Sequence, residues 1–102
     1  MGHKIIWSPE AVADLTEIRA YIARDSDTYA AALMERILVS VERLADYPNL
    51  EQRVPELDDA AIRQLIVDRY RVIYRVRKEA VDLAAIIHGA RDLPNALADR
   101  GL

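Results

Sequence analysis

The 102-residue sequence contains no cysteine, only three glycines, and no apolar run longer than the six residues Tyr29 to Met34. The missing cysteine excludes a disulfide scaffold, a thiolate metal site and a cysteine nucleophile, and it fits a reducing compartment. Gly2, Gly89 and Gly101 are too scattered to build a glycine-rich phosphate loop. The apolar run falls far short of the ~20 residues that cross a bilayer and of the ~7–15 of a signal-peptide core. The expectation is a soluble, cytoplasmic protein that makes no membrane contact. His3 and His88 are far apart and lack companion ligands at metal-binding spacing, so neither a metal nor a cofactor is expected.

What is present is enough for one core. With 52% apolar and 30% charged residues, the chain is read as a single domain over 1–102, its core spanning about 3–94. The net charge of −3 hides a division by segment: residues 1–59 sum to −6 and residues 60–102 to +3. Such a split points to a positive surface built by the second half, although a solvated arginine face accounts for the same residues.

Local signals give an order of elements. Residues 3–7 read as an opening strand, after which Ser8, Pro9 and Glu10 supply an N-cap, a first helical position and a dipole-matched acid. Ala11, Leu15, Ile18 and Ile22 mark the buried stripe of a helix over roughly 9–24. A turn at Asp25-Ser26-Asp27 leads to a second helix, from about Thr28 to Tyr47, with the stripe Leu33, Ile37, Val41 and Leu44. Pro48 and Pro55 bracket an acidic loop running to Asp59. From there the period becomes two: strands are predicted over 61–67, 69–78 and 80–88, with tight turns at Asp68-Arg69 and Lys78-Glu79. A short helix at Pro94 and a fraying tail complete the reading.

The plan is α+β, in the order β-α-α-β-β-β, with the helical hairpin on one face of a small, mainly antiparallel sheet. The Tyr70, Val72, Tyr74 and Val76 face of the middle strand belongs under the helices. Arg69, Arg71, Arg75 and Arg77 then point to an open face, which is a candidate binding surface with guanidinium forks suited to carboxylate or phosphate. A purely solvated, charged sheet explains the same pattern. A nucleic-acid clamp on this face lacks the aromatic side chains among the arginines that such sites use.

Other candidates are weaker. Glu51, Glu56, Asp58 and Asp59 read as a solvated loop rather than an acid/base pair, Ser8 serves as a cap, and Ser40 has no histidine beside it. The run His88-Gly89-Ala90-Arg91-Asp92 offers a group that titrates near neutrality next to an anion stabiliser. A structural role is the alternative, with a positive φ at Gly89 letting the chain turn and Arg91 paired to Asp92 or a helix end.

Several segments taken together carry a resemblance. They are Trp7-Ser8-Pro9-Glu10-Ala11 with Asp14-Leu15, Ile18 with Tyr21-Ile22-Ala23, Leu44 with Tyr47-Pro48, Val54-Pro55-Glu56-Leu57, Ile62-Arg63-Gln64-Leu65, YRVIYR from Tyr70 to Arg75, and HGARD from His88 to Asp92. From about residue 5 to 94 the chain resembles the RelE/ParE superfamily of bacterial type II toxin–antitoxin toxins. The resemblance implies the fold outlined above. It also implies a cognate antitoxin, ParD-like or RelB-like, bound in a hetero-oligomer, and a part in growth inhibition and plasmid stabilisation.

The superfamily has two activities. RelE-like members cut messenger RNA on the ribosome, and that resemblance would make Arg63, Arg71, His88 and Arg91 the catalytic candidates. The acidic loop with Arg53 as its only base, the lack of any tyrosine after Tyr74 and a pI near 5.3 depart from that pattern. ParE-like members poison DNA gyrase without being enzymes, and the HGARD ending and YRVIYR strand resemble that branch more.

Overall fold

The computed structural model describes residues 2–102. Strand β1 (Lys4–Trp7) leads into helices α1 (Pro9–Ala23) and α2 (Asp27–Arg43). Strands β2 (Gln52–Arg53), β3 (Ile62–Val67), β4 (Tyr70–Val76) and β5 (Ala80–His88) follow, then the short helix α3 (Leu93–Ala96). The strands lie in the order β1-β5-β4-β3-β2, with β1 parallel to β5 and every other pairing antiparallel. This is the expected α+β plan. No helix among the described residues is long and apolar enough to cross a membrane.

The helix starts follow from their caps. Ser8 Oγ accepts from the Ala11 amide at 3.0 Å with Pro9 at the first helical position, and Ser26 Oγ accepts from the Tyr29 amide at 3.0 Å. Helix α2 ends at Arg43, earlier than its periodicity predicts. The amides of Leu44, Ala45 and Asp46 reach back only three residues, tightening the chain into turns before Pro48. Strand β2 escapes sequence reading because two exposed residues cannot show an alternation.

Two apolar clusters sandwich the sheet. Leu33, Ile37 and Val41 of α2 pack with Val72 and Tyr74 of β4 and with Val81, Leu83 and Ile86 of β5, so the Tyr/Val face lies under the helices as expected. The opposite face is not open. Ile73, Ile62, Ala85 and Ile87 are covered there by Val54, Leu57, Leu93 and Leu97, and Ile73 is fully buried. The proline-bracketed loop and the C-terminal helix carry enough apolar side chains to close that side.

The ladder between β4 and β5 contains a bulge. Ile73 pairs with Ala85 while Tyr74 pairs with Leu83, leaving Ala84 without a partner residue. Nearby backbone groups are satisfied from outside the sheet. The Ile86 amide donates to Asp14 Oδ2 at 2.9 Å, and Arg100 donates to the Ala84 carbonyl at 3.1 Å and to both Asp14 oxygens at 2.6 and 2.9 Å. The tail is thus tied to α1 through Arg100, not frayed, and Asp14 is an inward-facing residue that sits beside the helical stripe.

Candidate functional site

The arginine row of β4 and its flanks is engaged with the chain's own carboxylates. Arg71 is buried, and its fork meets Glu56 in two hydrogen bonds of 2.7 Å. Its Nε donates to Gln64 Oε1 at 2.8 Å, and Gln64 in turn donates to Gln52 Oε1 at 3.1 Å. The bidentate contact holds the Glu56 carboxyl below the usual range and raises the guanidinium further. Arg75 reaches Asp59 at 3.1 Å. Asp59 also accepts from the Ala61 amide, and that bond is the main cause of its lowered pKa, with Arg75 adding to it. Arg77 pairs with Asp82 at 2.7 Å. Of the four arginines assigned to an open face, only Arg69 has no carboxylate partner among the described residues.

The sequence reading missed this pairing, although its signal was present. An acidic segment preceding a basic strand is a pattern that intramolecular ion pairing satisfies. Glu56 and Asp59, read as solvated loop residues, are the partners. The geometry therefore corrects the picture of an unoccupied cationic face, because loop 54–59 lies across it.

The four residues nominated for ribonuclease chemistry are dispersed. Arg63 pairs in register with Tyr74 on the helix side, where its Nη1 donates to the Glu51 carbonyl at 2.8 Å. Its buried Nε has no hydrogen-bond partner among the described residues. Arg71 lies on the opposite face. His88 pairs with Tyr70, four positions from Tyr74 along β4, which at ~3.3 Å per residue offsets it from Arg63 by about 13 Å along the strands, with β4 lying between the two. Only His88 and Arg91 come together.

They do so in a groove of about 460 Å³ between α1 and the ends of β4 and β5, lined also by Glu17, Ile18, Tyr21 and Tyr70. The His88 and Tyr70 rings meet edge to face, with centroids 5.6 Å apart at 82°. His88 Nδ1 accepts from the Ala90 amide at 3.1 Å, which leaves Nε2 as the ring's free position. Burial, with Asp68 nearby, raises the Tyr70 hydroxyl pKa. Across the β3–β4 turn, Asp68 adopts a positive φ of 56° and accepts from the Tyr29 hydroxyl, while Arg36 stands 3.7 Å away. Positive φ is tolerable for aspartate. Gly89 departs from expectation, since its φ is not positive and its amide donates to the Arg69 carbonyl at 2.8 Å. Arg91 pairs with neither Asp92 nor a helix end among the described residues.

Residues 5–93 match the family model of the ParE toxin of the type II toxin–antitoxin system, parDE. The chain belongs to the ParE toxin family. The toxin is 34% identical over 89 residues to "Toxin RelE2" of Caulobacter vibrioides, covering 86% of this chain and 97% of that one. It is 28% identical over 96 residues to "Putative toxin Y4kP" of Sinorhizobium fredii, covering 92% and 96% of the two chains. Its fold matches a solved structure titled "Chromosomal ParDE TA system from P. aeruginosa" with a TM-score of 0.69 at 20% identity, covering 84% of this chain and 95% of that one. The toxin's Arg100 lies beyond the matched segment, so the clasp to Asp14 uses a residue outside the family pattern.

Proposed function

We propose that this type II toxin acts on DNA gyrase without being an enzyme itself and is held inactive by a cognate antitoxin, ParD-like or RelB-like, in a hetero-oligomer. The observation that carries the gyrase reading is the separation of Arg71 from His88. Cleavage of a ribose-linked phosphate needs a proton acceptor, a charge stabiliser and a proton donor within hydrogen-bond reach of one phosphate. In this toxin the Arg71 fork is held by Glu56 on one face of the sheet, while His88 and Arg91 lie in a groove on the other. The match to the ParE family model supports the same reading. The RelE-like side of the resemblance makes a ribosome-dependent messenger-RNA interferase the competing outcome.

The test is to titrate the purified toxin, freed of antitoxin, in parallel into gyrase supercoiling and cleavage reactions and into ribosome-programmed messenger RNA. Inhibited supercoiling or trapped cleaved DNA with intact message is the expected result. Cut message with unaffected gyrase overturns it and makes Arg63, Arg71, His88 and Arg91 the residues to substitute next. The antitoxin is tested separately, by co-purification with the tagged toxin and relief of inhibition.

A further inference from the structure

Strand β3 is covered along only part of its outer side. The Ala61 carbonyl accepts from the Val76 amide, toward β4, whereas the Ile62 carbonyl accepts from the Val54 amide on the side away from it. Backbone groups alternate along a strand, so those of Gln64 and Ile66 face outward as Ile62 does. Among the described residues β2 pairs with Arg63 and Gln64 and reaches no further. The amide and carbonyl of Ile66 therefore lie at an open edge.

The surface around that edge is apolar. A groove of about 460 Å³ runs between it and α2, with Val39, Ser40 and Ile66 among its walls. Ser40 also borders a smaller cleft that includes Tyr47 and Leu50, so the four apolar residues share one surface. Val39, Tyr47, Leu50 and Ile66 are 51, 60, 71 and 50% exposed. Adjoining apolar side chains left this open on a small domain mark an interaction face.

Two features select a second copy of the toxin as its occupant. The open edge offers one outward amide and one outward carbonyl, too few to hold a long added strand. A two-fold axis beside Ile66 would pair that set with itself, exchanging two hydrogen bonds between the copies. The charges of α2 are also self-complementary. Glu35 and Arg43 lie four positions to either side of Val39, Arg36 and Glu42 lie three, and all four are exposed. Antiparallel pairing of two α2 helices centred on Val39 sets Glu35 of each copy against Arg43 of the other, and Arg36 against Glu42. Arg36, 3.7 Å from Asp68, keeps 56% of its side chain exposed for this contact. A partner of one charge sign would meet repulsion from half of the same rim.

We propose that the toxin self-associates across a two-fold axis at this face, joining two sheets edge to edge at Ile66 and packing α2 against α2 at Val39. The interface is separate from the groove that holds His88 and does not rest on the gyrase reading.

The experiment is sedimentation velocity of the purified toxin, freed of antitoxin, over a concentration series. A reversible shift from 11.6 kDa to twice that mass is expected. Val39→Asp, at an exposed helical position outside the core, should abolish the shift by placing two carboxylates at the axis. Arg43→Glu should weaken association about tenfold by meeting Glu35 with a like charge. Adding Glu35→Arg to that variant should restore it, a recovery that damage to the fold would not show. Tyr21→Asp, at an exposed position on α1, should leave it unchanged. A monomer at every concentration up to about 1 mM overturns the proposal. So does a dimer that survives Val39→Asp, or a double variant no better than Arg43→Glu alone. A toxin that stays monomeric while Val39→Asp weakens its antitoxin complex gives this face to the antitoxin, which also overturns it. No gyrase is present in the assay, so the two readings fail separately.

Discussion

Arg71 and Glu56 meet on one face of the sheet through two parallel hydrogen bonds of 2.7 Å, one partner buried and the other at the rim. The pair joins the proline-bracketed loop to the middle strand. Removing Glu56 leaves a buried guanidinium with only Gln64 for company. Glu56→Ala should therefore lower unfolding free energy by about 1–3 kcal/mol. Replacing both partners by apolar residues should recover part of that loss. Equilibrium denaturation of the two variants checks this, and an unchanged midpoint for Glu56→Ala would show that the pair contributes nothing.

The same contact sets an acid limit. The Glu56 pKa is lowered in the folded state, so its stabilising contribution is fully present above the ordinary glutamate range and is lost as pH falls through the depressed folded value. Asp59 shifts in the same direction through the Ala61 amide and Arg75. Melting temperature should fall below the ordinary carboxylate range, and less steeply in Glu56→Gln. Parallel pH profiles for that variant and the parent would remove Glu56 as a source of the acid dependence.

Asp14 and Arg100 should be unequal in effect. Asp14→Ala strands the Ile86 amide and leaves a mostly buried guanidinium with only the Ala84 carbonyl, whereas Arg100→Ala leaves Asp14 bonded to Ile86. Losses of about 2–3 and about 1 kcal/mol are expected. Hydrogen exchange at the Ile86 amide should accelerate only in the first variant. Equal acceleration in both would assign the protection to the tail instead.

Gly89→Ala should be close to neutral, within about 1 kcal/mol, because φ there is not positive. An added Cβ would lie 3.4 Å from the Arg69 carbonyl oxygen, an ordinary contact. A large drop in melting temperature would mean that the backbone at this position is less permissive than its geometry indicates.

Most of the fold was legible because each large element had its own local signal. Ser8 and Ser26 announced the helix starts, and the Tyr/Val alternation of β4 fixed the buried side. What stayed hidden depended on long-range partners. Nothing near Arg71 in sequence shows that Glu56 will reach it from 15 positions away, or that Arg100 will seal an edge 86 positions from Asp14. Tyr21, Tyr70 and His88 have the same difficulty, since one comes from a helix and the others from two strands. The site residues were therefore recognisable as types, but their grouping required the folded chain.

The extra residue in β5 works as a clutch. In an uninterrupted ladder Ala84 would stand opposite Ile73, which would bring Ile87 beside Tyr70 and carry His88 past the beginning of β4. Because Ala84 is set aside, Val81 and Leu83 keep step with β1 while Ile86, Ile87 and His88 keep a different step with β4. The half of the strand that anchors the core and the half that presents the histidine are thus indexed independently. Sequence drift that shifts one half by a position need not shift the other.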